Sequence, residues 1–334
     1  MPQSPDSPPD SGGFVRATEM FRTELLAHCY RMLGSVDEVE DLVQETYLRA
    51  WRSYDGFQGR SSVRVWLYRI ATNACLTALE RRGRRPLPSG LGAPSEDAEA
   101  PLAMAGSDVS WLQPLPDAFV AGGSPDTADP AAVVAARESL RLAVVASLQY
   151  LPPRQRAVLI LRDVLDLPTS EVGQVLDMSE AAVKSALQRA RGRIAEAAPD
   201  ADQVTEPTEP EQRALLEKYM SAFEQADISG LEKVLRQDAV LEMTPSRTWF
   251  SGLVTCTAYL AKVMGRPGDW LMTPTRANGQ PAAGAYYRGA DGTYRAYGIA
   301  VLTVADGAIA RITVFGDASL FDAFGLPQTR EAEA

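Results

Sequence analysis

The sequence predicts a multidomain protein: two all-α helical domains, the second containing a helix-turn-helix, followed by an α+β domain. Three observations predict it. Apolar residues recur at spacings of three and four between Phe14 and Arg85 and again from about Ala131 to Ala197. Stretches rich in Pro, Gly, Ala, Ser and Asp separate those segments. Period-two alternation is confined to the last third of the chain, over Tyr294 to Val304 and Ile309 to Phe315.

The boundaries follow composition. Residues 1–13 read as a disordered tail, 14–85 as a helical domain, 86–130 as a linker and 131–198 as a second helical domain. A short connector, 199–210, leads to the α+β domain at 211–326 and a tail at 327–334. In the first domain the core stripe is Leu25, Leu26, Cys29, Met32 and Leu33, continued by Leu42, Tyr47, Leu48 and Trp51, then by Val65, Leu67, Ile70 and Ala74. The linker composition is interrupted by one apolar island, Trp111 to Pro116. Such an island, unable to form a core alone, is expected to dock on another domain. In the third domain, Glu211 to Ala226, Leu231 to Leu235 and Thr255 to Met264 look helical, and Asp306-Gly307 marks a tight hairpin turn.

Several function classes are excluded. No stretch approaches the ~20 consecutive apolar residues of a spanning helix, so no membrane partner and a cytoplasmic location are expected. The three cysteines, Cys29, Cys75 and Cys256, are far apart and lack histidine neighbours, which argues against a disulfide framework and a metal site. No phosphate-cradling glycine motif or nucleophile triad occurs, so neither a cofactor nor an enzymatic activity is expected. His28, the single histidine, reads as a packed or surface residue.

Charge raises a sharper question. The chain carries 33 basic and 43 acidic residues, a net charge of −10, yet Arg81, Arg82, Arg84 and Arg85 crowd five positions at the end of the first domain. With Arg60, Arg64 and Arg69 they make seven bases against the single Glu80, a local balance that suits nucleic-acid phosphate. The opposite occurs just upstream. Asp37, Glu38, Glu40, Asp41 and Glu45 place five carboxylates in nine positions, an acidic helical face suited to a basic protein partner.

The second helical domain satisfies a geometric template over Thr169 to Leu187. Val172 and Leu176 lie four apart on one short helix, and Val183 and Leu187 lie four apart on the next. Gly173 is small where the helices would cross, Asp177 tolerates the left-handed turn position, and Ser179 caps the second helix. Lys184, Arg189, Arg191 and Arg193 then face outward with no acid between Ala181 and Ile194, while Ser185 and Gln188 offer hydrogen bonds to base edges.

These residues resemble a known family. LPPRQR with the following VL and LRD, then SEVGQVLDMSEAAVKSALQRAR, resembles the promoter −35-reading domain of bacterial sigma factors. EVEDLVQETYLRAW with VWLYRIATNACLTALERRGRR resembles the −10-reading domain of the same family, in its extracytoplasmic-function (ECF) branch. The resemblance covers roughly the first 200 residues, with both motifs in family order. It implies core RNA polymerase and promoter DNA as partners. Asp37, Glu38, Glu40, Asp41, Gln44 and Glu45 would dock on the β′ clamp helices, and the second domain would meet the β flap. Arg60, Ser61, Ser62, Arg64, Trp66, Arg69, Asn73, Arg81, Arg82, Arg84 and Arg85 would contact the −10 element. Trp66 reads first as packing, because a buried aromatic is more often core than base platform. Ser179, Ala181, Ala182, Lys184, Ser185, Gln188, Arg189 and Arg191 would contact the −35 element.

From about Glu211 to Leu326 the chain resembles the SnoaL-like branch of the NTF2-like family, on element order and on the terminal ITVFGDASLFDAFGLP. That implies a curved sheet wrapped by helices into a cone with an apolar pocket, and a possible small ligand of unknown identity. Asp238, Glu242, Tyr286, Tyr297 and Asp317 are the candidate pocket polar groups. WLQPLPD resembles the Trp-Leu-Pro linker motif of sigma factors with this domain, which implies intramolecular contacts through Trp111, Leu112 and Leu115. The expected function is therefore promoter-specific initiation modulated by the fused domain. The alternative is a one-component DNA-binding regulator whose third domain senses a small ligand.

Overall fold

Four helices carry the first helical region: α1 (Ser11–Thr18), α2 (Arg22–Leu33), α3 (Val36–Ser53) and α4 (Val63–Glu80). This computed structural model describes residues 11–57, 59, 61–120, 138–197 and 208–331, so Arg60 lies outside the described residues. Helix α1 starts inside the stretch expected to be a tail. The reason is Phe14, which is buried and meets Trp51 and Tyr54 edge-on at 5.3 and 5.2 Å. Gly34 closes α2 with φ 67°, its N–H returning to the Tyr30 carbonyl. Ser62 caps α4 by accepting from the Val65 N–H at 3.2 Å. His28 is a core residue: Nε2 pairs with Thr72 Oγ1 at 2.9 Å. Burial, and then the charge of Arg31, lower its pKa to about 3.

The second helical region contains α5 (Leu142–Leu148), α6 (Pro153–Leu159), a π-helical turn at Ile160–Val164, α7 (Thr169–Leu176) and α8 (Glu180–Ala197). Pro153 sits at the start of α6, where its missing N–H has no partner to lose. Helices α7 and α8 form the expected helix-turn-helix. Asp177 adopts φ 55° and ψ 54° between them, and a Cβ on Gly173 would lie 2.7 Å from the Met178 carbonyl oxygen. Ser179 Oγ accepts from the Ala182 N–H at 3.3 Å at the start of α8. The two helical regions form one unit, residues 1–84 and 119–199, in which α4 packs on α6 and α7 while α2 packs on α5 and α6.

The second unit comprises residues 85–118 and 200–334. Helices α9 (Glu209–Glu224), α10 (Ile228–Glu232) and α11 (Leu253–Met264) cover one face of a seven-stranded sheet. Its path is β2 (Trp249–Ser251), β1 (Leu235–Thr244), β6 (Ala308–Phe315), β5 (Tyr294–Ala305), β4 (Gln280–Arg288) and β3 (Trp270–Ala277). β1 and β6 pair in parallel, and the remaining pairs are antiparallel. The expected β5–β6 hairpin turns at Asp306 and Gly307, both with positive φ. Leu235, expected in a helix, instead begins β1. The tail expected at 327–334 contributes β7 (Thr329–Arg330), which pairs with β5. The short helix α12 (Leu320–Ala323) places Phe321 against Tyr286 at 5.0 Å.

Residues 86–118, expected as part of a flexible linker, are a structured strap on this sheet; residues 121–130 lie outside the described residues. The strap is held at three places. Buried Glu242 accepts from the Ser89 N–H at 3.1 Å, from Arg311 Nη1 at 2.8 Å and from Thr313 Oγ1 at 3.2 Å. Ala103 and Ala105 exchange backbone bonds with Arg247 and Pro245 beside β2. Finally the Leu115 N–H donates to Asn278 Oδ1 and its carbonyl accepts from the Asn278 N–H, both at 2.9 Å, while Asp117 holds Arg276 and the Gly279 N–H. The apolar island supplies the driving force, with Leu112 and Leu115 at 0% and 1% exposure.

Candidate functional site

Helix α8 presents its outer face as predicted. Ser179, Ala181, Lys184, Ser185, Gln188, Arg189 and Arg191 are exposed and Ala182 is half-buried, while Val183, Ala186 and Ala190 face the core. Arg189 Nη1 donates to Ser185 Oγ at 2.6 Å. Arg191 differs from its neighbours. Its guanidinium holds Asp163 in a two-point pair at 2.7 and 2.9 Å, which raises its pKa and fastens α8 to the π-helical turn. Asp163 was not singled out from the sequence, since the pair spans 28 positions.

The arginine-rich segment around α4 sorts into distinct roles. Arg69, Asn73 and Arg81 are exposed on α4 and at its end, and Ser62 is exposed at its start. Arg64 is a brace: its Nε and the Tyr68 hydroxyl both donate to Glu24 on α2, at 2.9 and 3.0 Å. Arg82 pairs with Glu38 on α3, so one residue expected to meet DNA is bound to one expected to meet the polymerase. Arg84 lies 4.9 Å over the Tyr150 ring, and Arg85, in the strap, donates to the Trp111 carbonyl at 3.3 Å. Trp66 is half-buried, 4.9 Å from the Phe57 ring and 6.3 Å from Tyr54. Ser61 is half-buried in the same loop.

On α3, Asp37, Glu40, Asp41, Gln44 and Glu45 are exposed and Glu38 is half-buried, while Val39, Leu42, Val43 and Thr46 face inward. The carboxylates therefore share the solvent side of a helix whose other side is core. Glu45 pairs with Arg49 at 2.6 Å. Between this face and the end of α4 runs a groove of about 380 Å³, with Leu42, Ala74 and Ala78 in its floor and Asp41, Glu45, Arg49, Arg81 and Arg82 among its walls.

Charge is segregated between the units. The helical unit holds 20 basic and 20 acidic residues, and the second holds 13 and 23, so the whole net charge of −10 belongs to the latter. The acidity of the chain as a whole is therefore no obstacle to nucleic-acid binding by the helical unit.

The candidate pocket groups of the third domain do not converge. Asp238 is exposed and bound to Arg236, and Glu242 anchors the strap. Tyr286 lies under Phe321, Asp317 is exposed, and Tyr297 stands against Trp270 on the helix-covered face at 5.1 Å. The interior implied as an apolar pocket is lined by buried side chains, among them Tyr219, Leu241, Phe250, Tyr259, Met264 and Met272. Phe250 and Tyr259 stack there at 4.6 Å. Among the described residues there is no metal-binding cluster and no helix long and apolar enough to cross a membrane.

Comparison with known proteins supplies the family. Residues 18–85 match the model of Sigma-70 region 2, residues 141–194 that of Sigma-70 region 4, and residues 216–312 that of a SnoaL-like domain. The ECF RNA polymerase sigma factor SigG of Mycobacterium tuberculosis is 48% identical over 327 residues, covering 95% of this chain and 85% of the relative. SigJ of the same organism is 30% identical over 225 residues, 67% of this chain and 62% of SigJ. The crystal structure of SigJ matches 94% of this chain and all of the solved chain with a TM-score of 0.61 at 24% identity, which shows a shared fold. With both sigma regions in order and near-full-length identity to SigG, this chain belongs to the ECF RNA polymerase sigma factors and carries a SnoaL-like domain after them.

Proposed function

We propose that the exposed face of α3 docks core RNA polymerase, that α4 and its flanking loop read the −10 element, and that α8 reads the −35 element. The observation that carries this assignment is the orientation of α8. A left-handed turn at Asp177 and a close crossing at Gly173 set a helix whose exposed side bears Lys184, Ser185, Gln188 and Arg189 without an acid among them. On α4 the reading group narrows to Arg69, Asn73 and Arg81, with Trp66 and Phe57 as the aromatic edge beside the loop. Arg64, bound to Glu24, orients α4 instead of meeting phosphate.

The third domain acts on the chain's reach and performs no catalysis. Polar groups that do not converge support the non-catalytic reading. The strap joins the two reading domains in the chain. Extended, 34 residues span about 115 Å, and held on the sheet they span far less. Anchoring the strap thus shortens the tether that the reading domains share. Run-off transcription with core polymerase tests the whole assignment, comparing the full chain with one ending near Ala198. Promoter-specific transcripts from the full chain are expected, with altered promoter output after truncation. Absence of any transcript would remove the assignment, and unchanged output after truncation would remove the regulatory part.

A further inference from the structure

A cavity of the strap-bearing unit lies apart from the domain interior. It measures about 220 Å³ and opens where parallel β1 and β6 end side by side. Thr244 and Phe315 are register partners there, and they share strand parity with Glu242 and Thr313, which bond to each other beneath Ser89 of the strap. The cavity is therefore on the strap side of the sheet, opposite the helix-covered core that takes Leu241, Met243 and Ile312. Gly316 lines it without a side chain to fill it; a Cβ would lie 2.9 Å from the Thr244 carbonyl oxygen. The strap closes the other side. Two of its segments meet here, the Leu112 N–H donating to the Pro86 carbonyl at 3.2 Å and Arg85 Nη1 to the Trp111 carbonyl at 3.3 Å.

The lining is sorted by chemistry. Trp111, Leu112, Phe315 and Leu320 form apolar walls, while Arg85 brings a guanidinium and Asp317 a carboxylate to the same space. Arg85 is half-buried, and Asp317 is held by Ser319, whose N–H and hydroxyl both donate to Oδ1, at 2.9 and 2.6 Å. Opposite charges beside apolar walls suit neither a simple acid nor a simple amine, because each would set a like charge against one of them. A molecule carrying both charges satisfies both. The volume equals about seven waters and falls short of the ~300 Å³ at which sites for drug-sized ligands begin, so the occupant is small. We propose that this cavity binds a free α-amino acid with an aliphatic or aromatic side chain, its carboxylate on Arg85, its ammonium on Asp317 and its side chain against Trp111 and Phe315. Such an occupant touches strap and sheet at once, so it binds while the strap is docked and holds it there. That consequence for the tether rests on the regulatory reading above; the binding does not.

Isothermal titration calorimetry of the full chain with L-leucine and L-phenylalanine, at millimolar concentrations, tests the site. One-to-one binding is expected for at least one of them. The corresponding acid without the ammonium and the amino alcohol without the carboxylate should each bind about 10-fold more weakly or worse, as should the amino acid to Arg85→Gln and to Asp317→Asn. The analogues act on the unaltered chain, so the outcome does not depend on how the variants fold. Amide exchange at Leu112 reads the strap: with free ligand at about ten times Kd, protection should rise about 10-fold. No binding of either amino acid, equal binding of the acid or the amino alcohol, or undiminished binding to both variants would overturn the site while leaving the sigma assignment standing. Binding with unchanged exchange at Leu112 would overturn the hold on the strap and leave the site. Binding retained while truncation leaves promoter output unchanged would remove the regulatory reading alone.

Discussion

The helical unit and the strap-bearing unit differ most in where their charges and hydrogen bonds are used. In the former, acids and bases balance, and the exposed ones gather by sign: carboxylates along α3, cations along α8 and at the end of α4. The latter holds the net charge of −10, yet two of its ionic contacts help hold the strap, buried Glu242 with Arg311 beside Ser89 and Asp117 of the strap with Arg276. The helical unit leaves like-signed groups together on exposed helix faces; the other unit uses Glu242 and Asp117 to hold its strap. The difference teaches that net charge is informative per domain, because screening confines a surface charge to about 8–10 Å.

The largest effect should break the contrast on the partner side. Replacing Glu40 and Asp41 together by lysine should weaken association with core polymerase about 100-fold, measured by titration of labelled protein, with far-ultraviolet circular dichroism unchanged. Unaltered affinity would deny α3 its role. Next, Gly173→Ala forces a Cβ to within 2.7 Å of a backbone oxygen that cannot retreat. A loss of about 2 kcal/mol in chemical denaturation is expected, confined to the helical unit. Retained stability would show that the α7–α8 crossing is looser than described.

On the strap side, Asn278→Gly preserves the positive-φ turn and deletes the acceptor of the Leu115 N–H. Docking of the strap should weaken by about 1–2 kcal/mol, read as faster amide exchange at Leu115, with α8 unaffected. Unchanged exchange would mean that Leu112 and Leu115 hold the strap by burial alone.

A last effect concerns acid. His28 has a folded pKa of about 3 against 6.5 unfolded, so the unfolded chain binds an extra proton throughout that window. Stability of the helical unit should therefore be complete above pH 6.5 and fall below it, by about 1.4 kcal/mol per pH unit near pH 5. In His28→Gln that slope should vanish. The strap-bearing unit contains no histidine and should not share it.

Legibility in the sequence tracked locality. The helix-turn-helix was readable because its determinants lie within 19 residues, and the Asp306-Gly307 hairpin because turn and alternation are adjacent. Strands β1 and β4 were not readable. β4 is buried at seven consecutive positions and runs through Pro281 to Ala285, small residues without alternation or strong β preference. A signal was present at Asn278-Gly279, whose positive φ angles form the β3–β4 turn and whose asparagine also receives the strap. The arginines were legible as a cluster, but the partners that hold some of them were not. Arg64 and Glu24 lie 40 positions apart, Arg82 and Glu38 44, and Arg191 and Asp163 28.

By itself the sequence determined the order of domains, the helical periodicities, the turn residues and the sign of each local charge cluster, since each depends on neighbours a few positions away. Only the tertiary structure decided which arginines are held by carboxylates and which stay exposed, that the linker is a strap, and that Arg156 of α6 donates to the Met32 carbonyl of α2. Those outcomes depend on desolvation and on partners distant in the chain, and a local pattern carries no record of either.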